Sequence, residues 1–269
     1  MTAVRIGIVG AAGRMGRTLL RLVDESDGTL IAGATESPGH PDLGRDIGLL
    51  FGAETTGMTL ADDPEALFRN ADVVIDFTRP AASVAHAALA ARLGTGLVIG
   101  TTGMAADDEE AVAKAAGRAP IVMAGNMSLG VNLLTVLTEL VARALDDAFD
   151  IEIVEMHHRH KVDAPSGTAL MLGRAAAHGR GINHDAAVDR GRDGITGARE
   201  RGHIGYAALR GGNVVGEHSV IFAADDERIE LTHKAGDRQL FARGAVKAAV
   251  WVSGRTPGLY SMRDVLGLG

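Results

Sequence analysis

The stretch VRIGIVGAAGRMGRTLLRLVDE, residues 4–25, predicts how the first half of the chain folds. Its first six residues, Val4–Val9, are apolar apart from Arg5, which is typical of a buried strand. The glycine-rich turn GAAGRMG follows at 10–16, and Arg14–Glu25 then carries apolar side chains at helical spacing. A strand, a glycine turn and a helix in this order indicate the start of a βαβ unit.

The same alternation continues beyond this stretch. Further strands are predicted at 29–35, 73–77, 96–99 and 120–124, and helices at 80–93 and 105–116. Short apolar strands that alternate with helices predict a parallel sheet covered on both faces. Because crossovers between such strands are right-handed, the expected fold class is α/β, with a Rossmann-like doubly wound parallel sheet.

The pattern changes after residue 128. Helices are predicted at 129–145, 166–177 and 239–252, strands at 150–156, 206–210, 214–223 and 228–233, and a long surface loop at 178–203. Three strands in succession imply an antiparallel or mixed sheet, and Gly211-Gly212 predicts a hairpin turn between the first two of them. We therefore predict an inserted α+β domain at 129–236, and a first domain formed by 1–128 and 237–269.

Composition and charge exclude several classes of protein. The chain has no cysteine, which excludes disulfides and thiolate chemistry and suits a reducing compartment. The net charge of −7 argues against nucleic acid as a partner, and no apolar run is long enough to span a membrane. Val4–Val9 is too short for the apolar part of a signal peptide. We therefore expect a cytoplasmic protein with no nucleic-acid or membrane partner.

The turn at 10–16 is a candidate dinucleotide site. Such a turn lets backbone N–H groups approach a pyrophosphate, which the positive end of the helix stabilises. Ala12 occupies a glycine position of the usual fingerprint, so a plain structural turn is the alternative. Glu36, 20 residues beyond Gly16, stands where a carboxylate accepts hydrogen bonds from both ribose hydroxyls of an adenosine. A carboxylate there repels a 2′-phosphate, which favours NADH.

Two further loops follow predicted strands. They are GTTG at 100–103 and AGNM at 124–127. Ligands of open α/β sheets bind at the carboxyl ends of the strands, where these loops lie. Small residues and hydroxyls there can approach a nicotinamide ring and its ribose, although each loop taken singly could be a plain turn.

The segment EMHHRHKVDAPSGT at 155–168 carries the most chemical information. If the strand persists, His157, Arg159 and Lys161 share one face, and repulsion between like charges depresses their pKa values. A lysine with a depressed pKa can act as a general acid near neutral pH. Ser166 is a natural N-cap, so the helix that follows it offers N–H groups to an anion. Cations beside a helix N-terminus indicate a carboxylate or phosphate pocket.

Two other interpretations of this segment remain open. The first is a solvated basic turn with an ordinary serine cap. The second is a zinc site formed by His157, His158 and His160, although adjacent histidines on a strand point in opposite directions and do not easily share one ion. We predict no metal site.

The chain resembles the family of dihydrodipicolinate reductases, also called 4-hydroxy-tetrahydrodipicolinate reductases, of bacterial lysine and diaminopimelate synthesis. The resemblance covers essentially the whole chain, and the stretch from His157 to Ala169 is its most specific part. The motifs that carry it are GAAGRMG at 10–16, DFT at 76–78, GTTG at 100–103, GNMSLGVN at 125–132, EMHHRHKVDAPSGTA at 155–169, RGGNVVGEH at 210–218, THKA at 232–235 and SMRDVLGL at 261–268.

The resemblance implies NAD(P)H-dependent reduction of 4-hydroxy-tetrahydrodipicolinate to tetrahydrodipicolinate by hydride transfer and protonation. It implies that His157 is the active-site proton donor or acceptor and that Lys161 gives a proton to the reduced substrate. The residues expected to bind the dicarboxylate substrate are His158, Ser166, Gly167 and Thr168. Those expected to bind the dinucleotide are Gly10, Ala11, Ala12, Gly13, Arg14, Met15, Glu36, Gly100, Thr101, Thr102, Ala124, Gly125, Asn126 and Met127.

The resemblance also implies a homotetramer joined through sheets of the second domain, which would then bind substrate and mediate oligomerisation. This sequence has Ser37 where some members carry an arginine that binds a 2′-phosphate. We therefore expect NADH to be favoured, or both cofactors to be used. The alternative enzyme is a related nicotinamide-dependent reductase of another imine or amino-acid substrate. A redox-sensing regulator that binds NADH is the non-enzymatic alternative, and it would need no proton donor.

Overall fold

The computed structural model describes residues 2–268. They form two compact units. The first unit comprises the residues up to Ser128 and from Gln239 onward, and the second is Leu129–Arg238. Each unit has its own sheet and its own buried core.

The strands and helices follow one another along both units. Within residues 2–268 the strands are β1 Val4–Val9, β2 Thr29–Thr35, β3 Val73–Asp76, β4 Gly96–Ile99, β5 Pro120–Met123, β6 Asp150–His157, β7 Val188–Asp189, β8 Ile204–Arg210, β9 Gly216–Ala223, β10 Arg228–Ala235 and β11 Gly258–Tyr260. The helices are α1 Arg14–Glu25, α2 Ile47–Phe51, α3 Pro64–Asn70, α4 Pro80–Leu93, α5 Ala106–Ala116, α6 Leu129–Ala144, α7 Gly167–Arg180, α8 Gln239–Val252 and α9 Met262–Val265.

The first unit contains a six-stranded parallel sheet in the order β2-β1-β3-β4-β5-β11. Alternate side chains of the central strands are buried on opposite faces: Val74 and Leu97 belong to the core with α3, α4 and α5, while Ile75 and Val98 are equally inaccessible to solvent. Burial on both faces is why these strands are continuous apolar runs. The predicted fold class, a Rossmann-like doubly wound sheet followed by a second, mixed sheet, is confirmed.

The strand order reverses between β1 and β3, because the chain leaves β1 toward β2 on one side and returns to β3 on the other. In open α/β sheets, ligands bind outside the carboxyl ends of the strands at such a switch point. The turn at 10–16 follows β1, and the segment DFT at 76–78 ends β3. The fold therefore places both motifs beside the expected ligand position.

The second unit contains a mixed five-stranded sheet in the order β10-β9-β6-β8-β7. Its inner residues, among them Ile151, Ile153 and Phe222, pack with Leu134 of α6 and Leu172 of α7. Side chains of β6 alternate between buried and partly exposed positions, so the helices cover one face of the sheet. No helix within residues 2–268 is both long enough and apolar enough to span a membrane.

The predicted hairpin at Gly211-Gly212 is wrong. Strands β8 and β9 do not pair with each other, because β6 lies between them, parallel to β8 and antiparallel to β9. The turn instead passes over the end of β6: the Gly211 N–H donates to His157 O at 2.9 Å, and the Arg159 N–H donates to Gly212 O at 3.2 Å. The paired residues of β6 and β8 lie 53 positions apart along the chain, as in Ile151 and Ile204, and a local turn signal does not report such a long-range pairing.

One further prediction needs correction. The region 178–203 is not a plain surface loop, since it contains the end of α7, a short 3-10 helix at His184–Ala186 and β7. Arg199 anchors it to β6 by ion pairs with Asp150 and Glu152, each at 2.8 Å. The C-terminal segment also contributes β11, which extends the parallel sheet beside β5.

Candidate functional site

The glycine turn after β1 leaves no room for side chains at two of its positions. Gly10 has φ +67°, and a Cβ there would lie 2.8 Å from Thr78 Cγ2. A Cβ at Gly16 would lie 2.4 Å from Gly10 O. The first N–H groups of α1 have no partner within the helix, and no acidic residue stands in its first turn. This turn can therefore receive an anionic group at the helix N-terminus.

Glu36 lies directly beside that turn. Its Oε2 accepts a hydrogen bond from the Ala12 N–H at 3.2 Å, and its Oε1 accepts from the Ser37 N–H at 2.9 Å. The carboxylate is thus fixed at the end of β2. It lines a cavity of about 310 Å³ together with Gly10, Thr78 and His86, which we call the second cavity. The nearby Arg45 is ion-paired with Asp42.

The loops after β4 and β5 line another cavity, of about 350 Å³, which we call the first cavity. Its lining residues are Met15, Phe77, Thr78, Gly100, Thr101, Thr102, Gly125, Asn126, Met127 and Phe241. Seven of the residues predicted to bind the dinucleotide therefore share this cavity. Ala124 precedes it, and its N–H donates to Ile99 O at 3.1 Å. Thr78 lines both cavities.

A buried carboxylate, Asp76, holds the loops of the two cavities together. It accepts hydrogen bonds from the Thr78 N–H at 2.8 Å and from Thr101 Oγ1 at 3.3 Å. His86 Nδ1 lies 2.8 Å from its other oxygen. Burial raises the pKa of Asp76, but the hydrogen bonds and charge of His86 and the bonds from Thr78 outweigh burial and hold the pKa below its ordinary value. The ionised Asp76 fixes a side chain of each loop.

In the second unit, the C-terminal end of strand β6 carries a buried pair, Glu155 and His157. Glu155 is 1% exposed, and its Oε2 lies 2.5 Å from His157 Nδ1. The Arg210 guanidinium reaches both oxygens of Glu155, at 2.8 and 2.9 Å. Burial raises the pKa of Glu155, but Arg210 and His157 lower it further than burial raises it. The carboxylate is therefore ionised at neutral pH.

The start of α7 lies against the same pair. Ser166 caps the helix by accepting from the Ala169 N–H at 3.2 Å, and its own N–H donates to Glu155 Oε1 at 3.2 Å. Its Oγ also lies 3.0 Å from His218 Nε2. Gly167 and Thr168 are the first two residues of the helix, and Gly167 is exposed. The structure thus places three of the predicted substrate-binding residues at one helix N-terminus.

Lys161 and His158 lie on the turn that follows β6. The strand ends at His157, so the expectation that His157, Arg159 and Lys161 share a strand face is wrong. Lys161 Nζ pairs with Asp163 Oδ1 at 2.8 Å, so the cations of this turn include a counter-charge. His158 Nε2 lies 3.4 Å from the Arg238 guanidinium. Desolvation, followed by the charge of Arg238, lowers the pKa of His158.

The three histidines of the zinc interpretation do not converge. His157 Nδ1 bonds Glu155, whereas the rings of His158 and His160 lie 6.3 Å apart. Among residues 2–268, no group of three or more His, Cys, Asp and Glu side chains is arranged to hold a metal ion.

Sequence reasoning assigned no role to four residues that the structure brings to this region. Glu155 carries a usable signal, since it precedes His157 by two residues and so lies on the same strand face. Arg210 and His218 belong to a quoted motif, RGGNVVGEH, but nothing local indicates that its ends reach β6 and α7. Arg238 stands just before α8, and only the fold places it beside His158.

His218 predicts a pH dependence of stability. Burial, followed by the charge of His157, lowers its pKa from 6.5 to about 4, although Glu155 opposes the shift. Between these values the unfolded chain binds the proton and the folded chain does not, so the free energy of unfolding falls as pH decreases through this window. In His218→Gln we expect the free energy of unfolding, measured by urea denaturation, to depend less steeply on pH in this window. The exposed His160→Gln is the control. Equal slopes for His218→Gln and wild type would contradict the prediction.

Comparison with known proteins places this arrangement in a family. Residues 4–127 match the family model for the N-terminus of dihydrodipicolinate reductase, and residues 130–266 match the model for its C-terminus. The 4-hydroxy-tetrahydrodipicolinate reductase of Afipia carboxidovorans is 58% identical over 100% of this chain and 99% of its own length. That of Ruegeria pomeroyi is 59% identical over 98% of each chain.

A solved structure supports the fold. The dihydrodipicolinate reductase of Paenisporosarcina sp. TG-14, with dipicolinate bound, has a TM-score of 0.79 to this chain at 23% identity, over 98% of this chain and 99% of its own. Because the family models span both units and relatives match along their full length, the chain belongs to the dihydrodipicolinate reductase family.

Proposed function

We propose that the protein catalyses the NAD(P)H-dependent reduction of 4-hydroxy-tetrahydrodipicolinate to tetrahydrodipicolinate, a step of lysine and diaminopimelate synthesis. The observation that carries the proposal is the cluster at the end of β6, where His157, Lys161 and the open start of α7 come together in a chain that is 58% identical to such reductases over its whole length. These groups supply the proton and the anion site that reduction of a dicarboxylate imine needs.

The first unit is the proposed dinucleotide-binding domain. The two cavities share Thr78 at the switch point, and each suits one half of a dinucleotide. The pyrophosphate would lie on the turn at 10–16, where side chains at Gly10 and Gly16 would collide with neighbouring atoms. Glu36 would accept the ribose hydroxyls of the adenosine half. The loops at 100–102 and 124–127 would surround the nicotinamide half.

The second unit is the proposed substrate-binding domain. One substrate carboxylate would accept N–H groups from Gly167 and Thr168 at the start of α7. The other would meet the cationic side of the turn after β6, where His158 and Arg238 lie 3.4 Å apart. Arg238 thereby joins the residues predicted from sequence.

Lys161 and His157 are the proposed proton-transfer residues. The bound dinucleotide supplies the hydride. Negative charge develops on the substrate only as the hydride arrives, so a proton donor held in place acts on the transition state more than on the bound substrate. Lys161 would give its proton to the substrate atom on which that charge develops. Asp163, which pairs with the ammonium of Lys161, would hold the donor in place until then. His157, held by Glu155, would assist through Nε2.

Oxidation of NADH with and without the cyclic dicarboxylate substrate tests the proposal. We expect NADH to be consumed only when the substrate is present. A reductase of another imine or amino acid would consume NADH with that substrate instead. A redox-sensing regulator would bind NADH and oxidise none, and either result would overturn the proposal.

A homotetramer in the cytoplasm is the proposed state of the protein. The face of the second unit's sheet that its helices leave open carries apolar side chains that are partly or largely exposed, Val154, Leu209 and Ile221 among them. Exposed apolar patches of this kind are typical of subunit interfaces. Light scattering during size-exclusion chromatography measures the mass, and a monomer would contradict this proposal.

The cofactor preference is expected to favour NADH or to be dual, because the fixed Glu36 carboxylate repels a 2′-phosphate and Arg45 is engaged by Asp42. The kcat/KM values for both cofactors measure it. We expect Glu36→Gln to raise relative use of NADPH, whereas Glu65→Gln, which lines neither cavity, should not. A wild-type preference for NADPH above about tenfold, roughly 1.4 kcal/mol, would show that the expectation is wrong.

Thr168→Val is expected chiefly to raise the KM for the dicarboxylate. It removes a hydroxyl beside the anion site but leaves Lys161 and His157 in place, so kcat should hold. Thr135→Val, a matched change on α6 where the hydroxyl donates to Val131 O, is the control. Steady-state kinetics with varied substrate gives both parameters. An unchanged KM in Thr168→Val would show that the carboxylate binds elsewhere.

A further inference from the structure

Glu155 is the common acceptor of three elements. His157 Nδ1 reaches its Oε2 from the same strand, and the Ser166 N–H reaches its Oε1 from the start of α7. Arg210 at the end of β8 binds both oxygens as a fork. Such a bidentate pair fixes geometry as well as charge. The carboxylate is therefore fixed from several directions at once.

The ionised carboxylate determines which nitrogen of His157 carries the hydrogen. A carboxylate without a proton only accepts, so neutral His157 must donate from Nδ1, and its Nε2 is left as the nitrogen that exchanges a proton. On the Nε2 side stands Gly216, where a Cβ would lie only 3.0 Å from that atom. Glycine at this position leaves Nε2 uncrowded.

His218 does not compete for this role. The ring centroids of His218 and His157 lie 5.0 Å apart, and the two rings are arranged edge to face with an interplanar angle of 74°. The Nε2 of His218 lies 3.0 Å from Ser166 Oγ. Glu155 is thus the side-chain partner that sets the tautomer of His157.

We propose that Glu155, clamped by Arg210, is a positioning residue that fixes the Nδ1–H tautomer and the ring orientation of His157 and ties both to the start of α7. The inference rests on the proposed function in one respect, the assignment of proton transfer to His157. It couples that histidine to the helix that would bind the substrate carboxylate, because one carboxylate holds the Ser166 N–H and the imidazole together.

Glu155→Gln tests the inference by a conflict among donors. The glutamine amide must place its NH2 group at one of the two oxygen positions. At the Oε1 position it would face Arg210 and the Ser166 N–H, both of which can only donate. At the Oε2 position it would face Arg210 and His157, and only His157 can become an acceptor. We therefore expect His157 to switch to the Nε2–H tautomer in this variant.

The tautomer is measured by nitrogen NMR on histidine-labelled protein, and kcat by steady-state kinetics. In Glu155→Gln we expect kcat to fall roughly 10–100-fold, the loss that is typical when a carboxylate that orients a metal-bound histidine is removed. The KM for NADH should stay unchanged. In a His157→Ala background the same substitution should lower kcat little further, since Glu155 acts through His157.

Glu139→Gln is the matched control. Glu139 is also a buried carboxylate of the second unit with one arginine and one histidine partner, Arg143 and His178. Its substitution removes a buried charge of the same kind and should leave both the His157 tautomer and kcat as in wild type. A similar loss of kcat in both variants would mean that the effect of Glu155→Gln is only structural, which would overturn the inference.

Other outcomes separate this inference from the proposed function. A full kcat in His157→Ala refutes the assignment of proton transfer to His157, whatever the NMR shows. A reduced kcat in His157→Ala with a full kcat in Glu155→Gln refutes the inference alone. If Glu155→Gln does not fold, wild-type NMR still decides, because an Nε2–H tautomer of neutral His157 contradicts the proposal.

Discussion

Lys161→Ala is expected to lower kcat by roughly 10²–10⁴-fold, the usual contribution of general acid catalysis. The substitution removes both the proton and the positive charge, and it leaves Asp163 without the ammonium that lies 2.8 Å from it. Affinity for NADH should hardly change, because the turn at 10–16 and Glu36 belong to the other unit. The two measurements are steady-state kinetics and direct titration of NADH.

Lys234→Ala is the control for this change. Lys234 belongs to the same unit and is also paired with a carboxylate, Glu217 at 3.5 Å, but it is largely exposed. Its removal should leave kcat near the wild-type value. If the cations near Lys161 only attract an anion, KM would rise in Lys161→Ala while kcat held. If kcat stays within a factor of about three of the wild-type value, the activation free energy has changed by less than about 1 kcal/mol. That result would show that Lys161 is not the proton donor.

His157→Ala separates the roles of the two residues. It should lower kcat by less than Lys161→Ala if His157 assists rather than gives the proton directly. In the double variant the two losses should combine less than additively, since both residues serve one proton transfer. Additive losses would instead indicate two independent contributions.

The fold of the first unit could be predicted from sequence because its signals are local. The bounds of β1, α1 and β2 follow from one glycine turn and from the apolar runs on either side of it. Successive strands of this unit are joined by right-handed crossovers, so their order follows from a general rule. β11 escaped prediction because three residues that pair only with β5 give no periodic signal.

The second unit shows where local signals fail. Gly211-Gly212 has the composition of a hairpin turn, yet β6 enters between the flanking strands. Pairing with β6 buries alternate residues of both neighbours over α6 and α7, and that long-range burial outweighs the preference of a two-residue turn.

The residues of the candidate site also differ in whether local sequence signals could identify them. His157, Lys161 and Ser166 could be singled out because they stand in one short segment of unusual composition. Their partners could not, because Arg210 lies 55 residues from Glu155 and His218 lies 52 from Ser166. The interpretation of this segment also left out a counter-charge, since Asp163, two residues along the chain, pairs with Lys161.

Gly16→Ala is expected to destabilise the first unit and to weaken NADH binding. A Cβ at this position would lie 2.4 Å from Gly10 O and 2.5 Å from Ala11 Cα. Both are backbone atoms of the turn, so neither can move aside as the end of a flexible side chain could. Extra atoms in a well-packed interior cost about 1–3 kcal/mol, and an obstacle made of backbone places this change toward the upper end.

Gly125→Ala is the matched control, and the contrast between the two variants carries the argument. Gly125 likewise lies in a loop that follows a strand of the first unit, but a Cβ there meets nothing within 4 Å, and its φ is not positive. Replacing such a glycine stabilises a protein by about 0.4–1 kcal/mol, because the unfolded chain loses freedom. The free energy of unfolding, measured by urea denaturation, should therefore fall in Gly16→Ala and rise in Gly125→Ala. If Gly16→Ala stays within about 0.5 kcal/mol of wild type, the close contact between α1 and the turn is not what requires glycine at this position.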